Sequence, residues 1–158
     1  MLIQLDKNSG SKKLRDECNS SCGMSCQLLP RGIRDAEDPD VIRYSHSEKR
    51  LLVTFDRALI EDYSPILCEG HSGVLLLRMD DNSVSRISRK TAQKILSNFK
   101  SDFEQWRFID WTGWIIELTP SLVFVYVAED NRLKRASYWD RGTEGWAVMM
   151  ANFLCPPK

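Results

Sequence analysis

The sequence has no charge of either sign to spare: 22 lysines and arginines stand against 22 aspartates and glutamates. The broad basic field of many nucleic-acid binders is therefore missing, as is the acidic excess of a disordered chain, and any contact with RNA or DNA must be local. Long apolar runs are missing too. The opening MLIQL reaches a charge at Asp6 and has no basic flank, so it reads neither as a secretory leader nor as a membrane span. A cytoplasmic protein with no membrane partner is expected. Histidine is scarce, and neither His46 nor His71 has a neighbouring serine or cysteine in a recognisable nucleophile arrangement, so surface or satisfied histidines are expected and no hydrolase triad is proposed. Gly70 and Gly73 do not make a phosphate loop. Five cysteines, an odd number with no secretory signal, argue for reduced thiols. Cys18, Cys22 and Cys26 recur every four residues, but Gly23 interrupts them and the spacing matches no usual zinc pair. They are expected to be buried structural cysteines, with Cys68 and Cys155 standing alone.

What is present is an alternation of short apolar runs with helix-length polar or amphipathic segments, in a chain the size of one domain. MLIQL (1–5) reads as a strand, residues 11–22 as a helix closed by Gly23, and MSCQLL (24–29) as a second strand. Asp38 before Pro39 reads as the N-cap of a helix over 39–48, with proline at its first position. RLLVTF (50–55) and GVLLLRM (73–79) follow as buried strands, and Arg57 begins a helix. Between 88 and 103, Ala92, Ile95, Leu96, Phe99 and Phe103 recur at helical spacing. WIIELTPSLVFVYV (114–127) makes two strands joined at Thr119-Pro120, a hairpin at the sheet edge. Continuous apolar strands separated by helices are what a parallel sheet with helices on both faces requires, and that fold is expected.

Ligands of such sheets bind beyond the carboxyl ends of the strands. Asp6 follows the first strand, Asp56 follows LLVTF, and Asp38 begins the helix before it. Three carboxylates gathered at one edge repel one another unless a hard cation sits among them, and Mg2+ or Mn2+ is the natural occupant. Such an ion activates water and steadies charge on a phosphate during hydrolysis. The plainer reading makes Asp38 only a helix cap, and Asp6 and Asp56 polar residues leaving a strand for solvent.

LIQLDKNSG, RDAEDPDVIRYS, RLLVTFDRAL and GVLLLR, in that order and spacing, resemble the landmarks of the PIN-like domain in its compact prokaryotic branch. The resemblance covers roughly residues 1–127, and its most specific piece is LVTFD placed after an acid-led helix. It implies an α/β, parallel-sheet PIN-like sandwich, a metal-dependent ribonuclease activity, and Asp6, Asp38 and Asp56 as ligands of Mg2+ or Mn2+. Thr54 matches a hydroxyl residue beside the family's metal site. Family members are often toxins held by a small antitoxin, so RNA and an antitoxin are the implied partners. Two positions depart from the pattern: Lys7 stands where a second acid is usual, and Ala58 where the third motif often has an aspartate. Glu61 or Asp62, about one helical turn beyond Arg57, is expected to supply the missing fourth acid to the metal site.

The expected organisation is a PIN-like domain over 1–127 and a C-terminal extension over 128–158. That extension carries Trp146, Val148, Met149, Met150, Phe153 and Leu154, apolar surface expected to dock on its own domain or on a twin subunit as a homodimer. The remaining tryptophans are expected to pack rather than stack bases, and SRISRK (85–90) to be a solvated face. The competing class is a catalytically eroded PIN-like module that binds RNA or a protein.

Overall fold

The computed structural model describes residues 1–21, 23–62, 64–80, 87–103, 111–129 and 132–140. Apolar runs too short for a helix become strands: β1 Leu2–Leu5, β2 Ser25–Leu28, β3 Leu51–Thr54, β4 Val74–Leu77 and β5 Ile115–Leu118, followed by β6 Leu122–Glu129 and β7 Arg132–Asp140. They form one sheet in the order β2-β1-β3-β4-β5-β6-β7. The pairs up to β4–β5 are parallel, and β6 and β7 are added antiparallel. Register sets Leu5 opposite Val53 and Thr54 opposite Leu76.

The helices are α1 Lys12–Ser21, α2 Arg31–Arg34, α3 Asp38–Ser47, α4 Arg57–Asp62, α5 Ser64–Glu69 and α6 Arg89–Phe103. Side chains alternate across a strand, so each buried strand feeds two cores. Ile3, Leu5, Leu51 and Val53 pack with Leu14 and Cys18 of α1 and Ala92, Ile95, Leu96 and Phe99 of α6. Leu52, Val74, Leu76 and Ile115 face the other way, against Val41 and Ile42 of α3, Leu59 and Ile60 of α4, and Leu67 of α5. Helices thus cover both faces. Each of the larger side chains, once fully buried, contributes about 1.5–3 kcal/mol of transfer free energy.

Local signals set the ends. Ser11 Oγ accepts the Leu14 N–H at 3.1 Å and starts α1, while Gly23, at φ +58°, turns the chain after it. Ser88 Oγ accepts the Thr91 N–H at 3.1 Å and starts α6, whose stripe of Ala92, Ile95, Leu96 and Phe99 is completely buried. Trp111 stacks obliquely on Phe99, ring centroids 5.5 Å apart, and Trp114 packs on the same core. Both tryptophans therefore pack, as expected. Cys18 and Cys26 are buried and not joined in a disulfide.

The structure departs from the sequence reading in several places. The short helices α2, of four residues, and α5, of six, are not part of that reading. The hairpin at Thr119-Pro120 forms, with the Thr119 N–H donating to Leu122 O at 2.9 Å, but it is not at the sheet edge because β7 pairs beyond β6. The expected division between residues 127 and 128 falls inside β6, and 132–140 belong to the same sheet, because polar side chains do not prevent a strand from satisfying its backbone in a ladder. The apolar segment 146–154, Trp106, Cys22, Cys155 and residues 85–86 of SRISRK lie outside the described residues.

Candidate active site

Chain order and sheet order diverge beside β1: the chain moves from β1 to β2 on one side and then returns to β3 on the other. A crevice opens at such a reversal, at the carboxyl ends of the strands. Asp6 is the residue after β1, Thr54 ends β3, Asp56 follows it, and Asp38 opens α3 on the face to which Thr54 belongs.

Asp6 is completely buried. Its Oδ1 accepts the Lys7 N–H at 2.6 Å and its Oδ2 accepts the Thr54 hydroxyl at 3.0 Å. Burial nevertheless pushes its carboxyl above the ordinary value, the bonds from Thr54 and from the Lys7 and Asn8 amides hold it down, and the charge of Asp38 raises it further. Thr54 Oγ1 also accepts the Asp56 N–H at 3.0 Å, which ties the ends of the two strands together. Asp56 Oδ1 accepts the Ala58 N–H at 2.9 Å and so caps α4, while its Oδ2 accepts Asn8 Nδ2 at 3.3 Å. The β1–α1 turn is drawn in by Ser9, whose hydroxyl donates to Val53 O at 2.7 Å and Asp6 O at 3.1 Å. Gly10 closes it: a Cβ there would stand 2.7 Å from Asp6 O.

Asp38 is half-buried at the start of α3. The expectation that it caps this helix is corrected, since Glu37 is the N-cap residue and its carbonyl accepts the first helical amides, those of Asp40 and Val41. Asp38 lies one residue inside, and its carboxylate has no hydrogen-bond partner among the described residues. Burial raises its pKa, Lys7 opposes the rise, and Asp56 and Asp62 add to it. Asp62, exposed at the end of α4, thus faces the same charge cluster; Glu61 lies in the same helix, its side chain outside the description.

Hydrogen bonds thus join Asp6, Thr54 and Asp56, and charge repulsion links Asp38 to Asp6, Asp56 and Asp62. The donors are hard oxygens with more negative charge than Lys7 offsets, which suits a divalent cation such as Mg2+ or Mn2+. Their spacing is looser than their chemistry: among the described residues, no three of His, Cys, Asp and Glu stand close enough to share one ion.

Sequence reasoning did not single out Asn8 or Ser9, which position Asp56 and the strand ends. The cue was the polar turn DKNSG straight after an apolar strand. His46 and His71 lie apart from the acids. His46 Nδ1 shares a hydrogen bond with Ser72 Oγ at 3.1 Å, and buried His71 accepts the Gly73 N–H on Nδ1 at 3.1 Å. Among the described residues, no helix is long and apolar enough to cross a membrane. No protein-family model, curated protein or solved structure matches this chain.

Proposed function

We propose that the carboxylate edge between β1 and β3 hydrolyses phosphodiester bonds in RNA with the help of Mg2+ or Mn2+. The observation that carries this reading is the burial of Asp6 at the strand-order reversal beside the charge of Asp38, which Lys7 offsets only in part. A fold does not gather repelling acids at its ligand-binding edge without cost, and a cation would remove that cost. Asp6, Asp38 and Asp56 would hold it, with Asp62 or Glu61 as a fourth acid. A bound divalent ion supplies a more acidic water and a counter-charge to the phosphate. The chain's own groups do the positioning: Thr54 orients Asp6, Asn8 and the Ala58 amide orient Asp56, and Lys7 presents a cation beside Asp38. The likeness of the four acid and strand landmarks to PIN-like ribonucleases supports the same chemistry. It also supports the toxin role, with a small antitoxin as partner.

A second reading, an eroded PIN-like module that binds RNA or protein without cutting, is favoured by one observation: both oxygens of Asp6 are already engaged and no three ligands close on one point among the described residues. Purified protein and Asp56→Asn, incubated with labelled RNA with Mn2+, with Mg2+ and with chelator, separate the two. Cation-dependent cleavage that disappears in the variant supports the nuclease, and binding without cleavage in all three conditions supports the module. A growth arrest on expression, relieved by the product of an adjacent small reading frame, tests the toxin role.

A further inference from the structure

On the β2 side of β1 lies a cleft of about 260 Å3 that shares Asp6 and Lys7 with the proposed site and extends beyond it to Lys12 and Arg34. Leu28, Leu29 and the buried Asp6 line it, and Lys7, Lys12 and Arg34 line it from the surface. The three cations come from separate elements, the β1–α1 turn, the first residue of α1 and the last residue of α2. All three are exposed. Among the described residues Lys12 and Arg34 make no ion pair, and the acid nearest the cleft, Asp6, is occupied by Thr54 and the Lys7 amide. Ser11 spends its hydroxyl on the Leu14 N–H, so the amides of Lys12 and Lys13 in the first turn of α1 have no helical acceptor. A chain of zero net charge has gathered cations here around a concave surface, where they repel one another unless an anion lies between them.

We propose that this cleft holds a phosphate of the single-stranded RNA next to the one placed at the acids, with Lys12 and Arg34 on its oxygens and the attached sugar over Leu28 and Leu29. This rests on the RNA reading of the carboxylate edge and gives that edge a direction: the strand runs from β3 across Lys7 to β2. A lining of apolar side chains and exposed cations suits a nucleotide, which is apolar on the sugar face and anionic at the phosphate. A cleft several times the ~30 Å3 share of one water has room for more than a solvent molecule. Lys7 lies between the two sites, lowering the charge cost at Asp38 while lining the cleft.

The test is binding of a short fluorescein-labelled oligouridylate by anisotropy, in chelator so that nothing is cut, across about 50–200 mM salt. Each phosphate contact on a single strand contributes about −0.7 to the slope of log K against log salt, so the double variant Lys12→Gln/Arg34→Gln should lose about 1.4 of slope. At the low-salt end its affinity should fall about tenfold, the equivalent of 1.4 kcal/mol. Lys94→Gln, an exposed cation of α6 away from the cleft, should bind as the parent does, and Lys12→Arg/Arg34→Lys should restore affinity. Circular dichroism of each variant excludes misfolding, since every altered side chain is exposed. Parent-like affinity and slope in Lys12→Gln/Arg34→Gln would overturn the inference, as would a parent that does not bind the oligonucleotide at low salt. Cleavage with Mn2+ is scored separately: a parent that binds through the cleft but never cuts leaves the subsite standing and removes the nuclease reading.

Discussion

The hydroxyl of Thr54 donates to Asp6 Oδ2 at 3.0 Å across 48 residues of sequence, and the same oxygen accepts the amide of Asp56 at 3.0 Å. One buried side chain thereby sets the separation of two acids. Thr54→Val keeps the shape and removes both bonds, leaving a buried carboxylate oxygen and an amide without their partner. It should destabilise the fold by about 1–3 kcal/mol in urea titration, while Thr54→Ser costs less. Equal midpoints for the valine variant and the parent would show that this bond does not hold the edge together.

Asp56→Asn should reduce cation-dependent RNA cleavage by at least about 100-fold, above the 10–100-fold typical of groups that only orient a ligand. The amide oxygen of asparagine can still accept the Ala58 N–H, so thermal stability should stay within a few degrees. Cleavage at the parental rate, with contaminating nuclease excluded, would remove the proposed chemistry.

Manganese should stabilise the parent and leave the Asp6→Asn variant unchanged. Asp6 is held above the ordinary carboxyl value of 3.8 in the fold, so without metal its contribution falls as pH rises from 3.8 through the raised value. At pH 7 the neutral Asp6→Asn variant should therefore melt no lower than the metal-free parent. Saturating Mn2+ should raise only the parent, by about 2.7 kcal/mol at one hundred times Kd. A parent indifferent to millimolar Mn2+ would show that these acids do not share an ion.

The fourth acid can be tested the same way. Asp62 adds to the repulsion on Asp38, so Asp62→Asn should weaken manganese affinity more than Glu61→Gln if Asp62 fills the place that Ala58 leaves. If both variants bind metal and cut RNA as the parent does, the edge works with three acids.

His71 supplies an acid-sensitive element remote from the site. Burial, then the charge of His46, lowers its pKa from 6.5 to about 4. The unfolded chain takes up the proton first, so stability is fully present above pH 6.5 and is lost as pH falls towards 4, by on the order of 3 kcal/mol. His71→Gln should flatten that segment of the stability profile measured in urea between pH 7 and 4. A variant that keeps the parent's slope would assign the loss to other groups.

Much of the strand and helix order was legible in the sequence, because buried parallel strands and amphipathic helices write their burial into local composition: Leu51–Thr54 and Val74–Leu77 as apolar runs, Ala92 to Phe99 as a stripe. The same logic put Asp6 and Asp56 after strands. Short single turns such as Arg31–Arg34 leave no period to read, and β7 is polar enough to resemble a linker. The role of Asp38 was misread for a local reason, since Asp-Pro resembles a cap pair, whereas the helix takes its first carbonyl from Glu37.

Local sequence by itself determined which segments must be buried, where helices start, and which acids stand at their boundaries, since these depend on neighbours within a few residues. Only the tertiary structure decided that Thr54 reaches Asp6, that Asn8 reaches Asp56, and that Lys12 and Arg34 line one cleft. Those relations depend on the pairing of β1 with both β2 and β3, and pairing partners are set by packing of the whole sheet rather than by any single strand.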